Sequence, residues 1–291
     1  MSKILKLWVS MWHFLDINLF RQYNEYMNNL LSVDRVAFTI GNFEVYWYGI
    51  IICAAILTAI GVATYFCKVN KYNTEMPINI AFVIVPSGIV FARLFSVIFE
   101  EGLSLADFFN FRTGGMSIIG AVIGGAIGLT IYVLVKKEKN PLLYFDTLAV
   151  VLILAQAIGR WGNFFNGEVY GQLVDPNSAW CFFPMVVEIN GAFYQALFFY
   201  ECVLNLVGFL ILALTYIISK KQGLPTALYL IYYGVVRTIL ESFRQEEYIL
   251  RLGSLPISQV FSAIMIAAGI ALLIYIIVKS KKMKVSNEQK K

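Results

Sequence analysis

The stretch GRWGNFFNGEVYG, residues 159–171, closes a long apolar run with four groups that hydrocarbon excludes: Arg160, Asn163, Asn166 and Glu168. Arg160 and Asn163 are three apart, so on a helix they share a face. Gly159, Gly162 and Gly167 leave room for another backbone or a ligand, and Glu168 falls where the helix should end. A second group lies in RTILESFR, where Arg237, Glu241 and Arg244 follow one another at i, i+4 and i+7, again on one face. Ionisable residues at membrane depth are costly and mark either a site or a buried pair. Two inward arginines with amides beside them suit a phosphate ester, because the guanidinium fork matches phosphate oxygens. This chemistry points to a protein that handles phospholipid headgroups. A transporter or channel would also use inward arginines, but the chain shows no duplication of spans and no matched pair of broken helices.

Further polar groups belong to the same question. Gly114, Gly115 and Ser117 precede an apolar helix, whose free N–H groups could hold an anion. Tyr46, Trp47 and Tyr48 suit a membrane interface, and for the first two an anchoring role suffices. Arg93 and Asp146 read equally well as neutralising partners and as site residues; Glu201 completes the set of buried ionisable groups.

The elements that must position these residues are membrane spans. The chain has 291 residues, 59% of them hydrophobic and 14% charged, with a mean hydropathy of +0.71. A span needs about 20 mostly apolar residues. Seven stretches qualify: 46–67, 78–99, 116–135, 142–163, 197–218, 225–243 and 258–278. Basic residues should collect in cytoplasmic loops. Lys68 and Lys71 follow span one, Lys136, Lys137 and Lys139 span three, and Lys220 and Lys221 span five; the chain end carries six more lysines. The expected fold is therefore all-α, a seven-helix polytopic membrane protein with its N-terminus outside and its C-terminus cytoplasmic. The net charge of +5 then reflects topology and contact with anionic lipid, not nucleic-acid binding.

The whole chain, 1–291, reads as one integral membrane domain. Residues 1–45 form an N-terminal segment in which 4–20 is an interfacial helix; His13 there is an interfacial polar group. Residues 46–278 form the bundle, with an outer loop at 164–196, and 279–291 a basic tail expected to be disordered. Asn190-Gly191 between VVEI and AFYQ predicts a hairpin in that loop. Gly120, Gly124 and Gly128 make a small-xxx-small stripe for close helix packing. The four cysteines have no paired spacing, so neither a zinc site nor a disulfide framework is indicated.

These motifs together resemble one family. GRWGNFFNGEVYG is similar to the signature of the prolipoprotein diacylglyceryl transferases, with Gly159, Arg160, Gly162, Asn163, Asn166, Gly167, Glu168 and Gly171 in place. VYWYG puts Tyr48 at the family's functional tyrosine. GGMS (114–117), FYE (199–201), YGVVRTILESFR and SLPISQVFS follow in the family's order, so the resemblance covers about residues 34–278. It implies a bacterial inner-membrane enzyme that moves the diacylglyceryl group of phosphatidylglycerol onto the lipobox cysteine thiol of a prolipoprotein at the outer leaflet, releasing glycerol phosphate, with no metal or cofactor. The implied catalytic residues are Arg160, Arg237, Glu168 and Tyr48. The implied substrate-binding residues are Asn163, Asn166, Gly171, Glu241, Arg244, Gly114, Gly115 and Ser117. In that reading Arg160 and Arg237 stabilise the departing phosphate, and Glu168 and Glu241 hold the arginines. The base is open among Glu168, Tyr48 and the lipid phosphate. Three departures stand out: Ile119 replaces a histidine of proposed catalytic role, the His-Pro before the Tyr-Glu pair is absent, and Gln172 stands where an arginine often follows the signature. A catalytically degenerate relative that binds lipid or prolipoprotein is the rival these departures raise.

Overall fold

The computed structural model describes residues 35–99, 103–110, 115–219, 221–245, 249, 251–252 and 255–288. The N-terminal segment with His13, and Gly114, lie outside the described residues. Among the described residues seven α-helices carry the fold: α1 (Trp47–Val69), α2 (Met76–Phe99), α3 (Ile118–Val135), α4 (Pro141–Asn166), α5 (Leu197–Ile218), α6 (Leu224–Glu241) and α7 (Ile257–Glu288). Three antiparallel hairpins pair β1 (Val36–Ile40) with β2 (Phe43–Tyr46), β3 (Val186–Ile189) with β4 (Ala192–Gln195), and β5 (Arg251–Leu252) with β6 (Leu255–Pro256).

Of these described helices all but α6, six in number, are long and apolar enough to cross a membrane. The chain is thus a mostly helical, multi-pass membrane protein. Seven spans were expected, and α6 is the one that falls short: its 18 residues include Arg237 and Glu241, which lower its apolarity. Helix bounds follow the hydropathy closely except in α7. The tail expected to be disordered is helical through Glu288. KSKKMKVSNE contains no Gly or Pro, and lysine is a good helix former, so nothing local stops the helix.

The chain divides into two compact units. The first comprises the residues up to Ala55, Gln156–Leu206 and Val235–Ser262. It holds the hairpins and both motifs singled out above. The β3–β4 hairpin turns at Asn190 and Gly191, both at positive φ, as the Asn-Gly pair predicts.

The second comprises Ile56–Ala155, Val207–Gly234 and the residues from Ala263. Phe66, Val150, Ile153, Leu212, Tyr216 and Tyr229 form its core, and Thr147 and Tyr216 share a buried hydroxyl contact of 2.7 Å. Helix α3 lies hard against α2. A Cβ at Gly120 would come within 2.6 Å of Phe95 Cβ and 2.9 Å of the Ala92 Cα, and one at Gly124 would strike Phe91. The glycine stripe is a packing surface.

Arg93 and Asp146 sit in this second unit, and main-chain groups meet both. The Arg93 guanidinium, fully buried, donates to the carbonyls of Asp107 (2.6 Å), Asn110 (2.7 Å), Gly115 (2.8 Å) and Phe108 (3.3 Å). It clasps the segment that leads into α3. Asp146 accepts from the amides of Gly223 (2.6 Å) and Thr226 (3.0 Å) and from the Thr226 hydroxyl (2.6 Å). It caps the N-terminus of α6, where the helix dipole favours a negative charge.

Candidate active site

The site is built in the first unit from the ends of three helices. Helix α4 ends at Asn166 because Gly167, at φ +64°, turns the chain into the left-handed region. The Gly167 N–H bonds the Phe164 carbonyl (3.0 Å) and the Glu168 N–H bonds the Asn163 carbonyl (3.1 Å). This pair is the Schellman closure that a glycine at this position allows. Val169 follows at φ +62°, a strained conformation for a β-branched residue that costs on the order of 1–3 kcal/mol. The turn folds Glu168 back onto its own helix end. Glu168 Oε1 accepts from Asn163 Nδ2 (2.9 Å) and Asn166 Nδ2 (3.2 Å).

Inside that turn, Arg160 donates through Nη1 to Asn163 Oδ1 (3.1 Å) and through Nη2 to Glu201 Oε1 (2.6 Å). Glu201 comes from the second turn of α5. Its other oxygen meets Arg237 Nη1 of α6 at 3.3 Å. Arg237 Nη2 in turn bonds Glu241 Oε2 at 2.9 Å, and Arg244 Nη1 lies 3.7 Å from the same oxygen. One continuous network therefore joins three guanidiniums through two carboxylates. The carboxylates are sealed, at 2% side-chain exposure, whereas Arg160, Arg237 and Arg244 keep 13%, 17% and 21%. The face the cluster shows is cationic. At Arg244, burial chiefly, with the cations Arg237 and Arg160, lowers the guanidinium pKa from its ordinary value, and Glu241 opposes that shift.

Gly162 lets Tyr48 of α1 reach this helix end: a Cβ there would come within 2.7 Å of the Tyr48 ring. On the other flank Trp161 meets Phe198 of α5 edge to face and Phe164 meets it tilted, with centroids 5.6 and 5.2 Å away. Gly171 packs against Gln195 and Leu197, and its N–H bonds the Gln195 carbonyl at 2.8 Å.

Sequence reasoning anticipated Arg160, Arg237, Asn163, Asn166, Glu168, Glu241, Arg244, Tyr48 and Gly171, and all lie in the first unit. Gly115 and Ser117 lie in the second. There the Gly115 carbonyl holds Arg93, and the Ser117 N–H bonds the Ala92 carbonyl at 3.2 Å. Glu241 does hold an arginine. Glu168 was expected to do the same, but its described bonds go to the two asparagines, because the glycine turn aims it along α4. Glu201 was missed as a site residue although it joins both arginines. The signal available was an acid in an otherwise apolar run.

Fold and site together define a class: a multi-pass membrane protein whose helix ends gather a cationic cluster over buried carboxylates. Residues 35–275 match the family model of prolipoprotein diacylglyceryl transferase, and the chain belongs to that family. Its relatives include a Clostridium botulinum (strain Loch Maree / Type A3) protein 35% identical over 257 residues, covering 86% of this chain and 100% of the relative. A Clostridium kluyveri protein is 33% identical over 86% of this chain and 99% of the relative. A Clostridium novyi (strain NT) protein is 37% identical over 86% and 98%. All three are named phosphatidylglycerol–prolipoprotein diacylglyceryl transferase.

Proposed function

We propose that this chain is a phosphatidylglycerol–prolipoprotein diacylglyceryl transferase. The observation that carries the reading is the partly exposed cationic face of the Arg160–Glu201–Arg237 network. A thiolate of the acceptor cysteine attacks the glycerol carbon that bears the phosphate. A carbon–sulfur bond forms, the carbon–oxygen bond to phosphate breaks, and glycerol phosphate leaves with the bond's electron pair. Negative charge grows on that phosphate, and the forks of Arg160 and Arg237 meet it in a site of low dielectric. Their orientation is set beforehand by Glu201, Glu241 and Asn163, which hold them from behind. The thiol proton passes to Glu168, Tyr48 or the departing phosphate.

The acceptor is the lipobox cysteine of a prolipoprotein. In this reading the chain acts as a single integral membrane domain in the bacterial cytoplasmic membrane. Its N-terminus lies outside and its C-terminus in the cytoplasm, in keeping with the lysine-rich loops. Helix α6 serves as the seventh span: 18 residues reach about 27 Å, close to the thickness of the hydrocarbon core. Purified protein in liposomes containing labelled phosphatidylglycerol should transfer label to a lipobox peptide. Absence of transfer, with an active relative as control, overturns the reading.

Ile119, in the first turn of α3, supports a second reading in which lipid and prolipoprotein bind without turnover. A protein that is inactive as it stands and becomes active as Ile119→His would establish it.

A further inference from the structure

We propose that a cavity of about 400 Å³ beside the signature turn receives the peptide flank of the acceptor thiol in extended form. The proposal rests on the transferase reading and names where its second substrate lies. One wall of the cavity is Asn163 and Glu168. Asn163 is also the residue whose Oδ1 holds Arg160, so an occupant touching this wall ends one side chain from the cationic face.

The opposite wall is β3. The hairpin's other edge is already covered: the Val174 N–H bonds the Phe193 carbonyl (2.8 Å), the Gln195 N–H bonds the Gln172 carbonyl (3.0 Å), and Leu173 bridges Tyr194. The cavity lies along Val186–Ile189 instead. The Val186 N–H on that strand already bonds the Phe182 carbonyl (3.0 Å), and the groove beside the rest of the strand suits a peptide laid alongside it. Aromatic rings complete the lining, with Phe183 and Phe198 centred 5.7 and 5.2 Å from Phe164. They favour apolar side chains.

Charge decides among occupants. The ionisable side chains lining the cavity are Glu168 and Glu188 on the acidic side, with no lysine or arginine among the lining residues. A phosphate is repelled there, whereas peptide N–H groups find acceptors.

The test has two arms. In the first, Val187→Trp fills the cavity from β3. The KM for a lipobox peptide should rise at least about tenfold, a loss of ~1.4 kcal/mol in binding, while kcat at saturating peptide and the KM for phosphatidylglycerol stay within about twofold. A rise in the lipid KM instead, or an unchanged peptide KM, overturns the proposal. In the second, unmodified protein is irradiated with a lipobox peptide carrying photoleucine next to its cysteine. Crosslinks should map to Phe183, Val187 or Ile189; crosslinks confined to other segments overturn it. The second arm needs neither turnover nor a folded variant. A wild-type protein that crosslinks here but transfers nothing refutes the transferase reading alone, and one that transfers while both arms fail refutes this proposal alone.

Discussion

Two regions of this protein bury charge, and they do so differently. In the second unit Arg93 is fully enclosed, with main-chain carbonyls around its guanidinium, and Asp146 is closed over by amides at the start of α6. In the first unit the arginines lean on carboxylates from other helices or from the next turn, and each side chain keeps some exposure. A buried charge whose hydrogen-bonding capacity is spent on the backbone holds the fold. One that is gripped from behind and left open in front can hold a ligand. The contrast teaches that burial of an ionisable group at membrane depth does not itself mark a site; what marks one is the exposure the group retains.

The sharpest way to break this contrast is to exchange the phenotypes. Arg160→Ala or Arg237→Ala should lower transfer by at least about 10²–10³-fold while the helices still form, read by labelled-lipid transfer alongside circular dichroism. Arg160→Lys should fail nearly as badly, since a point charge does not reproduce the fork; normal turnover in that variant would remove the forked contact from the mechanism. Arg93→Ala should instead cost the fold, read as lost yield and a broadened profile in detergent.

Glu201→Gln lies between the two behaviours. It leaves two guanidiniums short of their shared anion, and breaking a buried pair costs about 3–5 kcal/mol. Both thermal stability in detergent and transfer should fall, and a variant that lost neither would show the network to be incidental. Asp146→Asn removes one acceptor from the α6 cap and should cost about 1–3 kcal/mol, with transfer per folded molecule unchanged. The smallest effect belongs to Cys181. Burial chiefly, with Asp175 and Glu188 nearby, raises its thiol pKa above the usual value. It should stay protonated at neutral pH and alkylate slowly. Cys181→Ser should transfer at the wild-type rate.

The helices were legible because each long apolar run states its own length, and the arginines because a charge in such a run stands out. The Asn190-Gly191 hairpin was legible because that pair suits one kind of turn. What escaped was whatever depends on partners distant in the chain. Glu201 reads as a lone acid until α5 brings it between Arg160 and Arg237, which lie 41 and 36 positions away. The bonds from Asn163 and Asn166 to Glu168 were not legible because its direction is set by the φ of Gly167, which composition does not display. The lysines after 279 suggested a solvated tail, yet a charged sequence without breakers continues a helix already begun.

The sealed carboxylates have a consequence for release. Three guanidiniums without counter-charges would bind a phosphate monoester so tightly that the first product would block the next cycle. Counted by formal charge, three arginines against Glu201 and Glu241 leave one surplus positive charge. In the proposed reaction that surplus would draw in one lipid phosphate and still let glycerol phosphate go, so the acids beneath the arginines would set how readily the enzyme escapes product inhibition.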